Sequence, residues 1–201
     1  MQYKDLKPDE QRKLSATGRK YFNLIEFDKE EQLICEIRKH VMGLIFIYFI
    51  GIMILIVISS IFGVIFSEGF NNTANSMGIS ATAKSLIIVG GVIFVFFIVV
   101  AMTIQAILYT NNVIYITSEK IAQVLYISLF NRKISQLSIG DVQDVTVTQK
   151  GILAHMFNFG TLVIETAGEQ QNYTFSYIPN PYVHSKLIVG AHERNLVEFG
   201  N

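Results

Sequence analysis

The apolar and polar positions divide the chain into segments of different period. Two blocks are apolar on every side. The first is VMGLIFIYFIGIMILIVISSIFGVIF at 41–66, and the second is SLIIVGGVIFVFFIVVAMTIQAILY at 85–109; neither holds a charged residue. A hydrocarbon core about 30 Å thick takes about 20 helical residues. Both blocks are rich in β-branched residues, which weaken helices in water. In lipid a lone span must satisfy its own backbone, and only a helix does so. The first block begins too deep in the chain and is too long for a cleavable signal. The pattern predicts two transmembrane helices joined by a small, polar, turn-rich loop at 67–84.

Past residue 110 the period becomes two, with turn residues at short, regular intervals. Strands are predicted over 112–117, 121–128, 132–139 and 141–149. A mostly apolar connection, GILAHMF, follows. Another strand lies in FNFGTLVIETAGE at 157–169 and is joined through a GEQQ turn to NYTFSYI at 172–178. The last segment starts PNPYVHSKLIV and has helical spacing at Val183, Leu187 and Ile188. Asn180 is placed to cap it, with Pro181 at its first position. The fold class expected is therefore α+β: a two-helix membrane hairpin, then an antiparallel sheet, bent and barrel-like, with a C-terminal helix plugging its open end. This domain spans 111–190, with 191–201 as a tail. The arm at 1–40 reads as disordered or loosely helical over its first twenty residues. A short strand is expected where Leu33, Cys35 and Ile37 alternate with Ile34, Glu36 and Arg38.

Charge orients this plan. The arm carries nine Lys or Arg residues, whereas the loop between the blocks carries only Lys84. Positive residues are retained on the cytoplasmic side. Both termini are thus expected in the cytoplasm of a multi-pass cell-membrane protein. The chain has 16 basic and 16 acidic residues in all, so no global field points to nucleic acid. The lone Cys35 excludes an intrachain disulfide and reads as a half-buried small hydrophobe.

The search for chemistry yields no catalytic set, metal site or cofactor loop. His40, His155, His184 and His192 share no metal-ligand spacing. Asp141 and Asp144 are three apart on a predicted strand, which points them to opposite faces. No serine sits in a nucleophile elbow, and no glycine-rich phosphate loop occurs. The apolar blocks hold no ionisable residue, which counts against an ion or proton pathway. Gln105 is the most polar group within them. Ser59, Gly63, Gly90 and Gly91 are the candidates for close helix packing, within the hairpin or between copies. Arg38, Lys39, Lys120, Arg132 and Lys133 are the candidates for lipid headgroup contact. Residues 111–201 carry six basic and seven acidic residues, enough to assist a tethered domain and too few to recruit a free one.

Several stretches resemble a known family. YITSEKI, IGDVQDVTVTQKGI, FNFGTLVIETAGE and IPNP, behind two spans, are similar to bacterial membrane proteins that carry a pleckstrin-homology-like (PH-like) domain. The likeness rests on Tyr115-Ile116-Thr117, on 139–145, on Phe159-Gly160-Thr161-Leu162 with the 164–168 tail, and on Pro179-Asn180-Pro181. It covers about 30–190. The short connection before the glycine, often basic in this family, is LAHMFN here and has no arginine. The resemblance implies a seven-stranded bent sheet with a C-terminal helix, and no particular chemistry. The expected function is a non-enzymatic, membrane-tethered scaffold that binds a protein segment or a second copy. The alternatives are a sensor of anionic lipid or membrane stress and an accessory subunit of a transporter. The partners expected are lipids and a membrane or cytoplasmic protein.

Overall fold

A computed structural model describes residues 2–28, 30–78, 80–166 and 172–199. The chain opens with a 3-10 turn at Tyr3–Asp5, followed by helices α1 (Pro8–Lys13) and α2 (Ala16–Phe22) and strand β1 (Leu33–Arg38). Helices α3 (Val41–Phe66), α4 (Glu68–Ser76) and α5 (Ala81–Thr110) come next. Then follow β2 (Val113–Thr117), β3 (Lys120–Tyr126), β4 (Arg132–Ser138), β5 (Val142–Thr148), α6 (Ile152–Met156), β6 (Phe159–Thr166), β7 (Tyr173–Pro179) and α7 (Pro181–Phe199). The chain divides into two units. One joins residues 1–43 to 108–201, and the other is 44–107.

In the first unit all pairing is antiparallel. One sheet has the order β1-β2-β3-β4 and the other β5-β6-β7. β2 explains the layering. All five of its residues are buried. Ile114 and Ile116 face a core made with Ile164, Phe175, Ile178 and Ile188 of the second sheet and α7. Val113 and Tyr115 face the other way, against Tyr21, Phe22, Ile25 and Phe27. Residues 2–20 are therefore not disordered. Leu6 and Leu14 are buried with them, and α1 and α2 form the outer layer of the sheet. α2 is fixed at its start by Ser15, whose hydroxyl accepts from Gly18 N at 3.0 Å and whose backbone N–H donates to Glu36 Oε2 of β1.

The expected strand in the arm is present, with a bulge between Leu33 and Cys35. The bulge breaks the simple alternation. Leu33 packs with the outer layer, whereas Cys35 and Ile37 pack on the central core. The strands expected after 110 fall close to β2 through β7. Among the described residues no closed barrel forms: the four-stranded and three-stranded sheets stay separate ladders. GILAHMF holds a short helix, α6, instead of an irregular connection. α7 continues to Phe199, through most of the stretch expected as a tail at 191–201. Asn180 accepts the first helical bonds through its carbonyl, from Val183 N at 3.0 Å and His184 N at 3.3 Å. Its side chain does not cap the helix, because its Oδ1 takes a bond from Asn158 Nδ2 at 2.7 Å. The GEQQ turn and the 167–168 tail lie outside the described residues.

In the second unit, α3 begins and ends where the first apolar block does. α5 starts four residues earlier than the expected 85 and runs one past 109. Both are candidate membrane spans. The polar stretch between them is not a plain loop. Ser67 caps α4 by accepting from Phe70 N at 3.3 Å, and Lys84 Nζ reaches Asn75 Oδ1 at 2.8 Å.

Candidate interaction surface

The five basic residues singled out by sequence do not form one patch. β3 and β4 pair so that Lys120 faces Ser138 at one end of the hairpin, while Leu125 faces Lys133 and Tyr126 faces Arg132 at the other. At about 3.3 Å per residue the two ends lie roughly 20 Å apart. Lys120 is moreover engaged within the chain. Its Nζ lies 2.7 Å from Asp28 Oδ2 and 3.7 Å from Glu31 Oε2, and it donates to Glu26 O at 3.3 Å. An ammonium shared among these groups is not placed to meet a headgroup, so the assignment of Lys120 to lipid contact is set aside.

The four others gather at one end. Arg38 pairs with Val113, which pairs with Val124, which pairs with Ile134 next to Lys133. Arg132 and Lys133 are exposed. Arg38 Nη2 donates to Thr110 O at 3.4 Å, and Lys39 Nζ lies 5.2 Å above the Tyr109 ring. Burial pulls the Lys39 ammonium below its ordinary pKa. The same end holds His40. Its backbone N–H donates to Tyr177 O at 2.6 Å, its Nδ1 accepts from Met42 N at 3.1 Å, and its ring stacks on Phe159 at 5.2 Å. Burial lowers the His40 pKa, which preserves the neutral ring that this acceptor role needs.

Beside this stack lies a groove of about 390 Å³ lined by Thr148, Lys150, Phe159, Thr161, Ser176 and Tyr177. Gly160 closes one wall. A Cβ there would meet Thr148 O at 2.7 Å, so the glycine of FGTL lets β5 and β6 approach. All three described non-glycine residues at positive φ border this region: Asn158, Tyr177 and Asn180. Asparagine tolerates the left-handed region, whereas tyrosine seldom enters it. Tyr177 is held there by its bond from His40 and by its ring, which stacks on Phe159 at 5.7 Å. Sequence reading missed Lys150 and Tyr177. Lys150 sits beside a glycine in a turn, and the left-handed Tyr177 interrupts a strand that looks regular.

Asp28, Glu31 and Glu119 bring ligand-capable oxygens within 4.8 Å of one another. Lys120 already fills that space. Glu31 is buried and also accepts from the Thr117 hydroxyl and from Asp28 N. The histidines stand apart. The His184 ring faces Cys35 Sγ at 3.9 Å, and His192 Nδ1 lies 2.7 Å from Ile139 O. Among the helix-packing candidates, Gly91 lies against Phe62, and a Cβ there would collide with that ring. Ser59 lines a groove with Ile58, Phe62, Val92 and Val95. A Cβ at Gly63 or Gly90 would meet nothing within 4 Å, so neither glycine is needed for close packing inside the hairpin. Gly51, against Met102, is a close approach that the sequence did not single out.

Two antiparallel sheets, a C-terminal helix and a pair of long apolar helices define an α+β protein with a PH-like unit. A family model for the bacterial PH domain matches residues 74–186, more than half of the chain, and the chain belongs to that family. The match begins inside α4 and leaves out β1, although β1 completes the first sheet. Membership marks the unit as a protein- or lipid-interaction module. No curated protein matches the chain.

Proposed function

We propose that the chain is a non-enzymatic interaction module tethered to the cell membrane by α3 and α5, with both termini in the cytoplasm. The module takes an extended segment of a protein partner on the open edge of β4. The edge itself is the observation that supports this reading. Among the described residues β4 is hydrogen-bonded only to β3, and six of its seven residues are not buried. The other edges are less open: β5 packs against α7, and β1 meets β7 where His40 donates to Tyr177. An unpaired edge offers a row of backbone donors and acceptors, and adding a strand to it needs no special side chains. Arg132 and Lys133 at one end of β4 are the kind of charge that keeps an edge from pairing indiscriminately. The bias of basic residues toward the arm supports the orientation. Tethering raises the effective concentration of the edge for partners in the same membrane. The contacts of three titratable side chains support the non-enzymatic reading, because Glu31, His40 and His192 are each occupied by structural contacts.

The test places a photo-crosslinking residue at Gln136 on the β4 edge of the full chain in native membranes, with Glu193 on α7 as control. A discrete heavier adduct from Gln136 and none from Glu193 is expected. No adduct at Gln136, or the same adducts at both positions, would overturn the proposal.

A further inference from the structure

We infer that two exposed apolar projections, the β3–β4 tip and helix α6, seat the sheet unit on the surface of an anionic bilayer. The tip comprises Ile127, Leu129 and Phe130, all exposed, with Phe130 at 99%. It extends from the end of β3 where Tyr126 N donates to Asn112 Oδ1 at 2.7 Å, two residues beyond the end of α5. α6 exposes Ile152, at 84%, together with Met156 and Phe157. It is tied down by Gln149 Nε2, which donates to Ala154 O at 3.4 Å and to Phe159 O at 3.1 Å. The Phe159 ring stacks on His40, the residue before α3. Each projection thus stands at the root of one long apolar helix.

Three features select lipid over water or protein as the occupant. Side chains this large and this exposed gain little from water and gain from an apolar phase. Both roots lead directly into helices long and apolar enough to cross a bilayer, so the surface nearest to them is the headgroup region. Charge is complementary as well. Segments 127–134 and 149–158 contain Arg132, Lys133 and Lys150 and no Asp or Glu. The acidic group of Asp28, Glu31 and Glu119 lies around Lys120, at the far end of the β3–β4 hairpin. An apolar tip flanked by basic residues is suited to an anionic interface, where rings enter the acyl boundary and cations meet the headgroups. The inference rests on α3 and α5 spanning the bilayer and does not depend on what binds β4.

The chain contains no tryptophan, so single-tryptophan variants report one position each. F130W and I152W are made in the full chain and reconstituted in vesicles with and without anionic lipid. V197W is the control. Val197 is 88% exposed near the end of α7, and its neighbour Glu198 lines a surface hollow with Ser118 and Glu119 at the far turn. Resistance of each variant to alkaline extraction checks the spans separately, so failure of the spans is not confused with failure of the seat. Quenching of F130W and I152W by shallow nitroxide lipid is expected, with blue-shifted emission and loss of iodide quenching, while V197W behaves as in water. If both are as open to iodide as V197W, the seat does not exist. If they are shielded from iodide yet not quenched by nitroxide lipid, a protein or a second copy covers them, and the inference fails. Equal lipid quenching with and without anionic lipid would overturn the role given to Arg132 and Lys133.

Discussion

Tyr115, in the middle of the first sheet, donates its hydroxyl to the carbonyl oxygen of Gly18 in α2 at 2.6 Å. The ring is fully buried and lies edge-on to Phe22 and Phe27, with centroids 5.6 and 6.1 Å away. A residue from the second half of the chain thus anchors the N-terminal helices. Burial pushes the phenol far above its ordinary pKa, with the nearby Glu36 adding to the effect, so it remains a donor at any physiological pH. Tyr115→Phe keeps the packing and removes the bond. It is expected to cost about 1 kcal/mol, read as a lower midpoint in detergent unfolding, with slower digestion of wild type than of the variant within residues 1–22.

The acidic group around Lys120 sets a second expectation. Lys120→Met removes the cation that offsets buried Glu31, and loss on the order of 3 kcal/mol follows. Burial opposes the Lys120 charge, but Asp28, Glu31 and Glu119 together raise its pKa. Glu119 is raised above the ordinary 4.5 by burial and by Glu31 and Asp28. Asp28 is lowered below 3.8 by its hydrogen bond and attraction to Lys120. For Glu119 the native state holds the extra proton, so stability rises as pH falls from neutral toward 4.5. For Asp28 the unfolded state holds it, so stability is lost as pH falls below 3.8. Unfolding midpoints across pH are expected to show that order, and Glu119→Gln is expected to abolish the rise while leaving the fall.

Cys35 gives a chemical readout of the first sheet. Burial pushes its thiol up to about 11, with Lys13 opposing. The thiolate is the reactive form, so at pH 8 the native chain is expected to react with maleimide much more slowly than the unfolded chain. Equal rates would place Cys35 outside the core.

Gly160→Ala tests the close approach of β5 and β6. The new methyl would press on the backbone oxygen of Thr148, which cannot swing away as a side chain does. A destabilisation of about 1–3 kcal/mol is expected, seen by thermal unfolding. An unchanged midpoint would mean that the strands separate without cost.

The apolar blocks and the strand periods made α3, α5 and the six strands after residue 110 legible, because each signal is local and repeated. The outer layer was not read, although VIYIT carried a trace of it. A strand apolar at every position is buried on both faces, and so needs a second layer, which Tyr21, Phe22, Ile25 and Phe27 supply. The bulge after Leu33 moves Cys35 and Ile37 to the other face, which strict alternation cannot show. α4 and α6 are too short for periodicity to reveal. Lys120 looked free because Asp28 and Glu31 are remote in sequence and meet it only through the pairing of β1 with β2 and of β2 with β3. The exposure of Phe130 is not legible in the strand pattern, since exposure is decided by what the fold leaves uncovered.

One interaction unit is assembled from both sides of an inserted helix pair. Arg38 pairs with Val113 across the β1–β2 ladder, with α3, α4 and α5 between them in the chain. The direct measurement replaces residues 41–110 with a short turn and compares this chain with residues 111–201 alone by thermal unfolding. The joined chain is expected to be soluble, with a single cooperative transition, and 111–201, lacking β1, α1 and α2, is expected to have none. Cooperative unfolding of 111–201 at the same midpoint would contradict it.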